Sequence, residues 1–269
     1  MIANPEDFFS NYIRLTGVAH LGPETVGEPG LLGKRLGLLN GSSWVTAWSN
    51  FFGRRYLPGV QLVNMGNDAV QLNFMQAHAD GLPCPPQANI DRFILYAKDL
   101  VELAKVHAVL ITCSTMNRSY PSVARALEPY NVPVIQIDMP MFEEAVSYSG
   151  KVLVIATHGP TVASTQAMLE EVAQLSGVPV SYDGILAEDA WSRLAQGDVD
   201  GHNRILADII QQRAREKYAC IVLAQLSMSA FLFTFPDPAS AFGIPVLTSG
   251  ECGFKRIRNV LLDLPDHIP

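Results

Sequence analysis

The sequence predicts an α/β protein of two lobes, each built on a parallel, doubly wound sheet, and two observations carry that prediction. The first is the alternation of short apolar runs with stretches of helical spacing, the pattern that builds parallel sheets from strand–helix–strand units. The second is an internal echo. His107-Ala-Val-Leu-Ile-Thr-Cys113-Ser-Thr-Met-Asn117 and Ala219-Cys-Ile-Val-Leu-Ala-Gln225-Leu-Ser-Met-Ser229 both read as buried strands that break into small polar residues, and Cys113 and Gln225 lie 112 positions apart. Pro133-Val-Ile and Pro245-Val-Leu repeat at the same interval of 112, while Arg35–Asn40 and Lys151–Ala156 pair at 116. One α/β unit used twice would set the Cys113 and Gln225 strand ends on opposite walls of a cleft, where open α/β sheets bind small molecules.

The elements come in order along the chain. Residues 1–33 hold Phe8-Phe9 and a Gly/Pro-rich passage from Gly22 to Gly33 without a clear period, and are expected to form an extension that packs on the fold and contributes to an oligomer contact. Arg35 to Leu39 is the first strand, ending in Asn40-Gly-Ser-Ser43 before an aromatic segment, Trp44 to Tyr56. Such a strand end presents N–H groups and hydroxyls to an anion, or forms an ordinary N-cap turn. Val60 to Val63 reads as the second strand. Met65 to Pro86, with Asp68, His78, Asp80 and Cys84, is expected to be an irregular surface loop, since its spacing fits no metal template.

Ile90 to Lys105 has the period of an amphipathic helix and precedes the Cys113 strand; Ser119 to Leu127 reads as a helix and Val132 to Ile137 as a strand. Pro140 to Tyr148 is expected to be a crossover helix, with Gly150 as the hinge. The second half repeats the order: strand at Lys151–Ala156, helix from Val162 to Leu175, strand at Pro179–Tyr182, helix from Gly201 to Lys217, the Gln225 strand, a strand at Ile244–Leu247 and a helix to about Leu262. The expected boundaries are 1–33 for the extension, 34–140 plus 250–269 for the first lobe and 141–249 for the second.

Composition narrows the function classes. With 269 residues, 48% hydrophobic and 17% charged, the chain is globular. A net charge of −7 and a pI near 5.3 argue against a nucleic-acid surface, which needs clustered Lys and Arg. No apolar run reaches the ~20 residues of a membrane helix, and the N-terminus lacks a signal-peptide pattern, so a cytoplasmic protein is expected. Its cysteines, at 84, 113, 220 and 252, lack C-x-x-C spacing and nearby His; zinc is not expected, and free thiols are.

Cys113 is the residue with chemistry to offer. Between a buried strand and the start of the following helix, its pKa is expected to be lowered by unpaired N–H groups and the helix dipole, fitting it for a general base or nucleophile; an inert core cysteine is the alternative. Ser114, Thr115 and Asn117 supply oxyanion donors beside it. Phe231, Phe233 and Phe235 line a pocket or pack in a core or interface.

Ile111-Thr-Cys113-Ser-Thr115, Val222-Leu-Ala-Gln225-Leu-Ser-Met228, Gly37-Leu-Leu-Asn40 and Val154-Ile-Ala-Thr157 together resemble the aspartate/glutamate/hydantoin racemase superfamily, over residues 34–262 or so. The resemblance implies two flavodoxin-like lobes related by pseudo-twofold symmetry, with the active site in the cleft between them. It also implies no pyridoxal phosphate or other cofactor, no metal and a small carboxylate or amide-containing substrate; a homodimer or higher homo-oligomer is the expected assembly. In racemases of the group, a cysteine from each lobe works on one face of the substrate carbon. Carried over, Cys113 is the first-lobe acid/base, Ser114 and Thr115 follow it in binding substrate, Asn40 and Ser42 form the first substrate loop, and Thr157 and Thr161 its counterpart.

At the second-lobe cysteine position this chain has Gln225, followed by Leu226 and Ser227, and an amide neither takes nor gives a proton near neutral pH. Gln225 and Ser227 are therefore expected to hydrogen-bond substrate or intermediate. His158 or Cys252 supplies the missing proton-transfer group, or Cys113 acts alone as in single-cysteine decarboxylases of the superfamily, or turnover is lost and binding kept. The resemblance thus favours a cofactor-independent isomerase acting at a carbon alpha to a carboxylate or carbonyl.

Overall fold

The computed structural model describes residues 4–17 and 24–265, so Gly22 and Pro23 of the expected irregular passage, and the outermost residues of the expected extension and first lobe, lie outside the described residues. The chain divides into two compact units, Met1–Gln136 with Phe254–Pro269, and Ile137–Gly253.

The first unit carries a four-stranded parallel sheet in the order β2-β1-β3-β4, from β1 (Arg35–Asn40), β2 (Gln61–Gly66), β3 (Ala108–Ile111) and β4 (Val134–Gln136). β1 and β3 pair in register, Leu36 against Ala108 through Leu39 against Ile111. Leu36, Leu38 and Leu39 are fully buried, as an apolar strand covered on both faces requires. Helix Gln87–Glu102 lays Phe93, Ala97, Leu100 and Val101 into the core with Val109 and Ile111. Each leucine, valine, isoleucine or phenylalanine among them contributes about 1.5–3 kcal/mol when fully buried.

Two stretches depart from the sequence expectation. Asp68–Ala79 is a helix, where the spacing predicts an irregular loop over Met65 to Pro86. Asn67 caps it, its Oδ1 accepting the Ala69 N–H at 2.9 Å, and Val70, Phe74 and Ala77 form its buried stripe. The period is blurred because Leu72 and Met75 are apolar yet 71% and 38% exposed. Asp68 and His78 therefore sit on this helix and Asp80 at its C-cap, leaving Cys84 in the loop beyond. Pro5–Thr16 is also helical, started by Asn4 and Pro5, although none of its residues is buried.

The second unit repeats the design with β5 (Lys151–Ala156), β6 (Ser181–Leu186), β7 (Cys220–Leu223) and β8 (Val246–Thr248), parallel in the order β6-β5-β7-β8. Met168, Leu169, Val172 and Ala173 of helix Gly159–Ser176 pack with Val152 and Val154 in one core cluster, and Leu206 and Ile210 of helix Val199–Arg213 pack in another with Leu153 and Ile155. β6 starts at Ser181, paired with Lys151, rather than at Pro179, because proline has no N–H for the ladder. Phe231, Phe235 and Phe242 stack at centroid distances of 4.8–5.8 Å in the second cluster, so this aromatic group is mainly core; Phe233 is 42% exposed. Among the described residues no helix is long and apolar enough to cross a membrane.

The C-terminal helix, Ser249–Asp263, is tied into the first unit by Lys34. Its ammonium, 1% exposed, donates to the Leu261 carbonyl and to that of Leu264 at 2.7 Å, meeting acceptors that a helix C-terminus leaves unpaired. Lys34→Met keeps the apolar stem and removes these donors. It is expected to cost about 2–3 kcal/mol of unfolding free energy, read as a lower urea midpoint.

Candidate functional site

Cys113 and Gln225 occupy the same place in the repeated unit. Each is the second residue past the inner strand and opens a 3-10 turn, Ser114–Ser119 in one case and Leu226–Ala230 in the other. The strand ends match bond for bond: the Thr112 N–H donates to the Leu39 carbonyl at 2.9 Å and the Ala224 N–H to that of Ile155 at 3.0 Å. Met116 N–H then donates to the Cys113 carbonyl and Met228 N–H to that of Gln225, both at 3.0 Å.

Cys113 is 5% exposed. Burial pushes its thiol above the ordinary cysteine value, outweighing the Thr115 hydroxyl and the backbone N–H groups of Gly41, Met116 and Thr115, all of which favour the thiolate. This corrects the expected lowering. The donors are present, but the sulfur is sealed from water, and the segment after it is a 3-10 turn, with the next α-helix starting only at Tyr120. Thr115 Oγ1 lies 3.1 Å from the sulfur. Ser114 Oγ is buried without a hydrogen-bond partner among the described residues, a donor held ready beside the thiol.

The first loop is largely self-satisfied. Asn40, fully buried, accepts the Ser42 N–H on Oδ1 at 3.2 Å and donates to Thr46 at 3.4 Å. Asp68 accepts the Ser43 N–H at 2.7 Å, and that bond foremost holds its carboxyl below the usual range. The Ser42 and Ser43 N–H groups at the start of helix Ser43–Tyr56 are thus each bound to a side chain. Ser49 Oγ donates to Thr112 Oγ1 at 3.0 Å and fixes that helix to the end of β3.

In the second unit, Gln225 Oε1 accepts both the Thr157 N–H at 2.7 Å and the Thr157 hydroxyl at 2.8 Å. A backbone N–H only donates, so the amide oxygen must face it, and the Nε2 donors point elsewhere. His158 caps helix Gly159–Ser176 and packs its ring on Trp191, centroids 4.2 Å apart; burial lowers its pKa and keeps it neutral. Thr161 Oγ1 is buried without a partner among the described residues, and Ser227, the counterpart of Thr115, is 4% exposed. Cys252 packs in the core with its sulfur 3.5 Å from Glu144 Oε2, and Cys220 is a core thiol pushed up to about 12 by burial. Among the described residues no three His, Cys, Asp or Glu side chains stand close enough to hold a metal.

Sequence reasoning missed Gly41 and Gln71. A Cβ at Gly41 would lie in ordinary contact, 3.4 Å from the Cys113 sulfur and 3.4 Å from Val70, so this turn lies directly against the thiol; the Gly in Asn40-Gly-Ser was the available signal. Gln71 accepts the Thr115 hydroxyl at 3.2 Å from helix Asp68–Ala79, whose residues carry the pattern of a loop.

The sequence matches the family described as Asp/Glu/Hydantoin racemase over residues 85–257. Similar solved structures include aspartate racemase from Picrophilus torridus, 14% identical with a TM-score of 0.61 over 86% of this chain and 100% of that one. Glutamate racemase from Bacillus anthracis is 16% identical, with a TM-score of 0.57 over 85% and 81%. Allantoin racemase from Klebsiella pneumoniae is 16% identical, with a TM-score of 0.56 over 87% and 90%. At these identities the likeness is one of fold. Curated protein sequences give no match.

Because burial disfavours the thiolate, Cys113 should alkylate slowly near neutral pH, with a rate that climbs with pH beyond the range of an ordinary thiol. Peptide mapping after iodoacetamide labelling across a pH series checks this; rapid labelling at pH 7 would contradict it.

Proposed function

Because the chain belongs to the Asp/Glu/Hydantoin racemase family, we propose that it is a cofactor-independent isomerase of racemase or epimerase type. It moves a proton at a carbon alpha to a carboxylate or carbonyl, with Cys113 as the acid/base. The observation that carries this is the Cys113 environment: a buried thiol at a strand end with the Thr115 Oγ1 3.1 Å from its sulfur and the Ser114 hydroxyl, buried without a partner among the described residues, next to it in the chain. A hydroxyl turned to the sulfur stabilises the thiolate when the proton leaves, while the buried resting sulfur keeps its proton. Ser114 offers its unpartnered hydroxyl to the developing enolate oxygen, the charge that such a site must hold, and Thr115 acts on the sulfur beside it.

Inversion needs a second proton-transfer group. Gln225 is not one; fixed through its oxygen by Thr157, it acts as an N–H donor, with Ser227 and Thr161 as further polar contacts for substrate. His158 is the better candidate of the two considered, since it is neutral and next to Thr157, whereas Cys252 is engaged with Glu144 in the core. The fixed Gln225 amide also favours a second reading, a decarboxylase in which the Cys113 thiol delivers one proton to one face of a carbanion; that reaction needs no second acid.

The test is exchange of substrate α-hydrogens in deuterium oxide, followed by NMR over a panel of amino acids, hydantoins and substituted malonates. Exchange or decarboxylation is expected, and Cys113→Ser should lower it by a factor of about 100 or more. His158→Asn should abolish inversion while leaving exchange on one face. For the base role, kcat/KM should rise with pH through the raised thiol value; for the acid role it should be level and then fall above it. Turnover by Cys113→Ser at the wild-type rate would refute the assignment, and no turnover on any compound would leave a binding protein.

A further inference from the structure

We infer that Gln71 is a positioning residue of the Cys113 site: by accepting the Thr115 hydroxyl proton, it turns the Thr115 oxygen toward the sulfur as an acceptor and holds Cys113 as a thiol. The catalytic consequence rests on the proposed role of Cys113, but the hydrogen-bond direction does not.

Thr115 Oγ1 stands 3.2 Å from Gln71 Oε1 and 3.1 Å from the Cys113 sulfur. A hydroxyl has one proton and donates to one of them. An amide oxygen accepts a neutral O–H bond far better than a thiol sulfur does, so with Gln71 in place the proton goes to Oε1, and the free lone pairs of Oγ1 face the S–H. Gln71 is set at this distance by its own backbone, whose N–H donates to the Gly41 carbonyl at 3.1 Å. Cys113, Thr115 and Gln71 thus form a chain of contacts, anchored at Gly41, in which a single hydroxyl rotation exchanges two states. With the hydroxyl toward Gln71 the sulfur is a thiol; with the hydroxyl toward the sulfur the thiolate gains a donor, and Gln71 loses one. Removing the Cys113 proton is therefore coupled to a rotation of Thr115, and the strength of the Gln71 contact sets how readily it happens.

Charged groups do not compete in this control. The ionisable residues on the elements about the sulfur include Asp68 on the helix that carries Gln71, and Arg118 and Tyr120 beyond Thr115, and none contributes to the thiol's shift. Asp68 is bound to Ser43 instead.

Gln71→Leu removes the acceptor and frees the Thr115 hydroxyl to donate to sulfur. The pH midpoint of Cys113 alkylation in the full-length protein should move down, and the rate at neutral pH should rise about threefold to tenfold, the weight of one hydrogen bond to a charged group offset by the lower nucleophilicity of a more acidic thiol. Thr115→Val in the Gln71→Leu background should return the midpoint to the wild-type value or above. A midpoint unchanged or raised in Gln71→Leu would overturn the inference, because it would mean that the amide presents its NH2 and Thr115 already donates to sulfur. A downward shift that persists in the double variant would overturn it too. Where Gln71→Leu does not fold, Gln71→Glu, which at neutral pH only accepts, should keep the midpoint at or above wild type, and a fall would be contrary. Wild-type protein without α-hydrogen exchange would end the proposed function and leave this titration standing; Cys113-dependent exchange with an unmoved midpoint would end only the inference.

Discussion

In both units the two inner parallel strands end in step, and the turn after one strand lies against the side chain two residues past the other. In the first unit a Cβ on Gly41 would stand 3.4 Å from the Cys113 sulfur; in the second the Thr157 N–H donates to the Gln225 amide oxygen at 2.7 Å. A buried N–H without a partner costs about 1–3 kcal/mol, so in the second unit the position favours a side chain that accepts. Cysteine fills it in the first unit and glutamine in the second. That constraint, set by the β1–β3 and β5–β7 registers, is what the rest of each site is arranged around.

The two solutions differ in chemistry more than in geometry. A thiol can exchange a proton and a glutamine amide does not near neutral pH, so the repeated scaffold does not repeat the titratable group. The second unit adds a hydroxyl to the same contact, since Thr157 donates through both its N–H and its Oγ1, and an amide so held keeps one orientation. A group with fixed orientation is suited to recognition, because binding does not have to order it again.

The state of the Cys113 thiol is decided by a contest between burial and hydrogen bonding. Several donors favour the thiolate, yet exclusion of water is the larger effect, and the resting sulfur is protonated. Helix Asp68–Ala79 sharpens this contest by bringing Val70 against the turn and Gln71 to Thr115. The same helix supplies Asp68 to the start of helix Ser43–Tyr56, so it closes the first strand-end loop on two sides.

The parallel two-unit scaffold is legible in the order of residues alone. Buried strands must be apolar throughout, so Leu36 to Leu39 and Val152 to Ile155 are visible as runs, and a repeat interval of 112 survives because strand, turn and following residues are spaced by the pairing itself. Cys113, Gln225 and their equivalence were legible for the same reason. How the polar groups are used depends on packing between distant segments. Asn40 is turned inward to hold its own turn, and the thiol is raised rather than lowered because burial is a property of the atoms that pack around it. Gln71 enters the site from a helix whose apolar stripe is only three residues wide, too narrow to stand out beside the exposed Leu72 and Met75. Periodicity records which face is buried; it does not record which distant polar atom a side chain meets, and the chemistry of this site lies in those meetings.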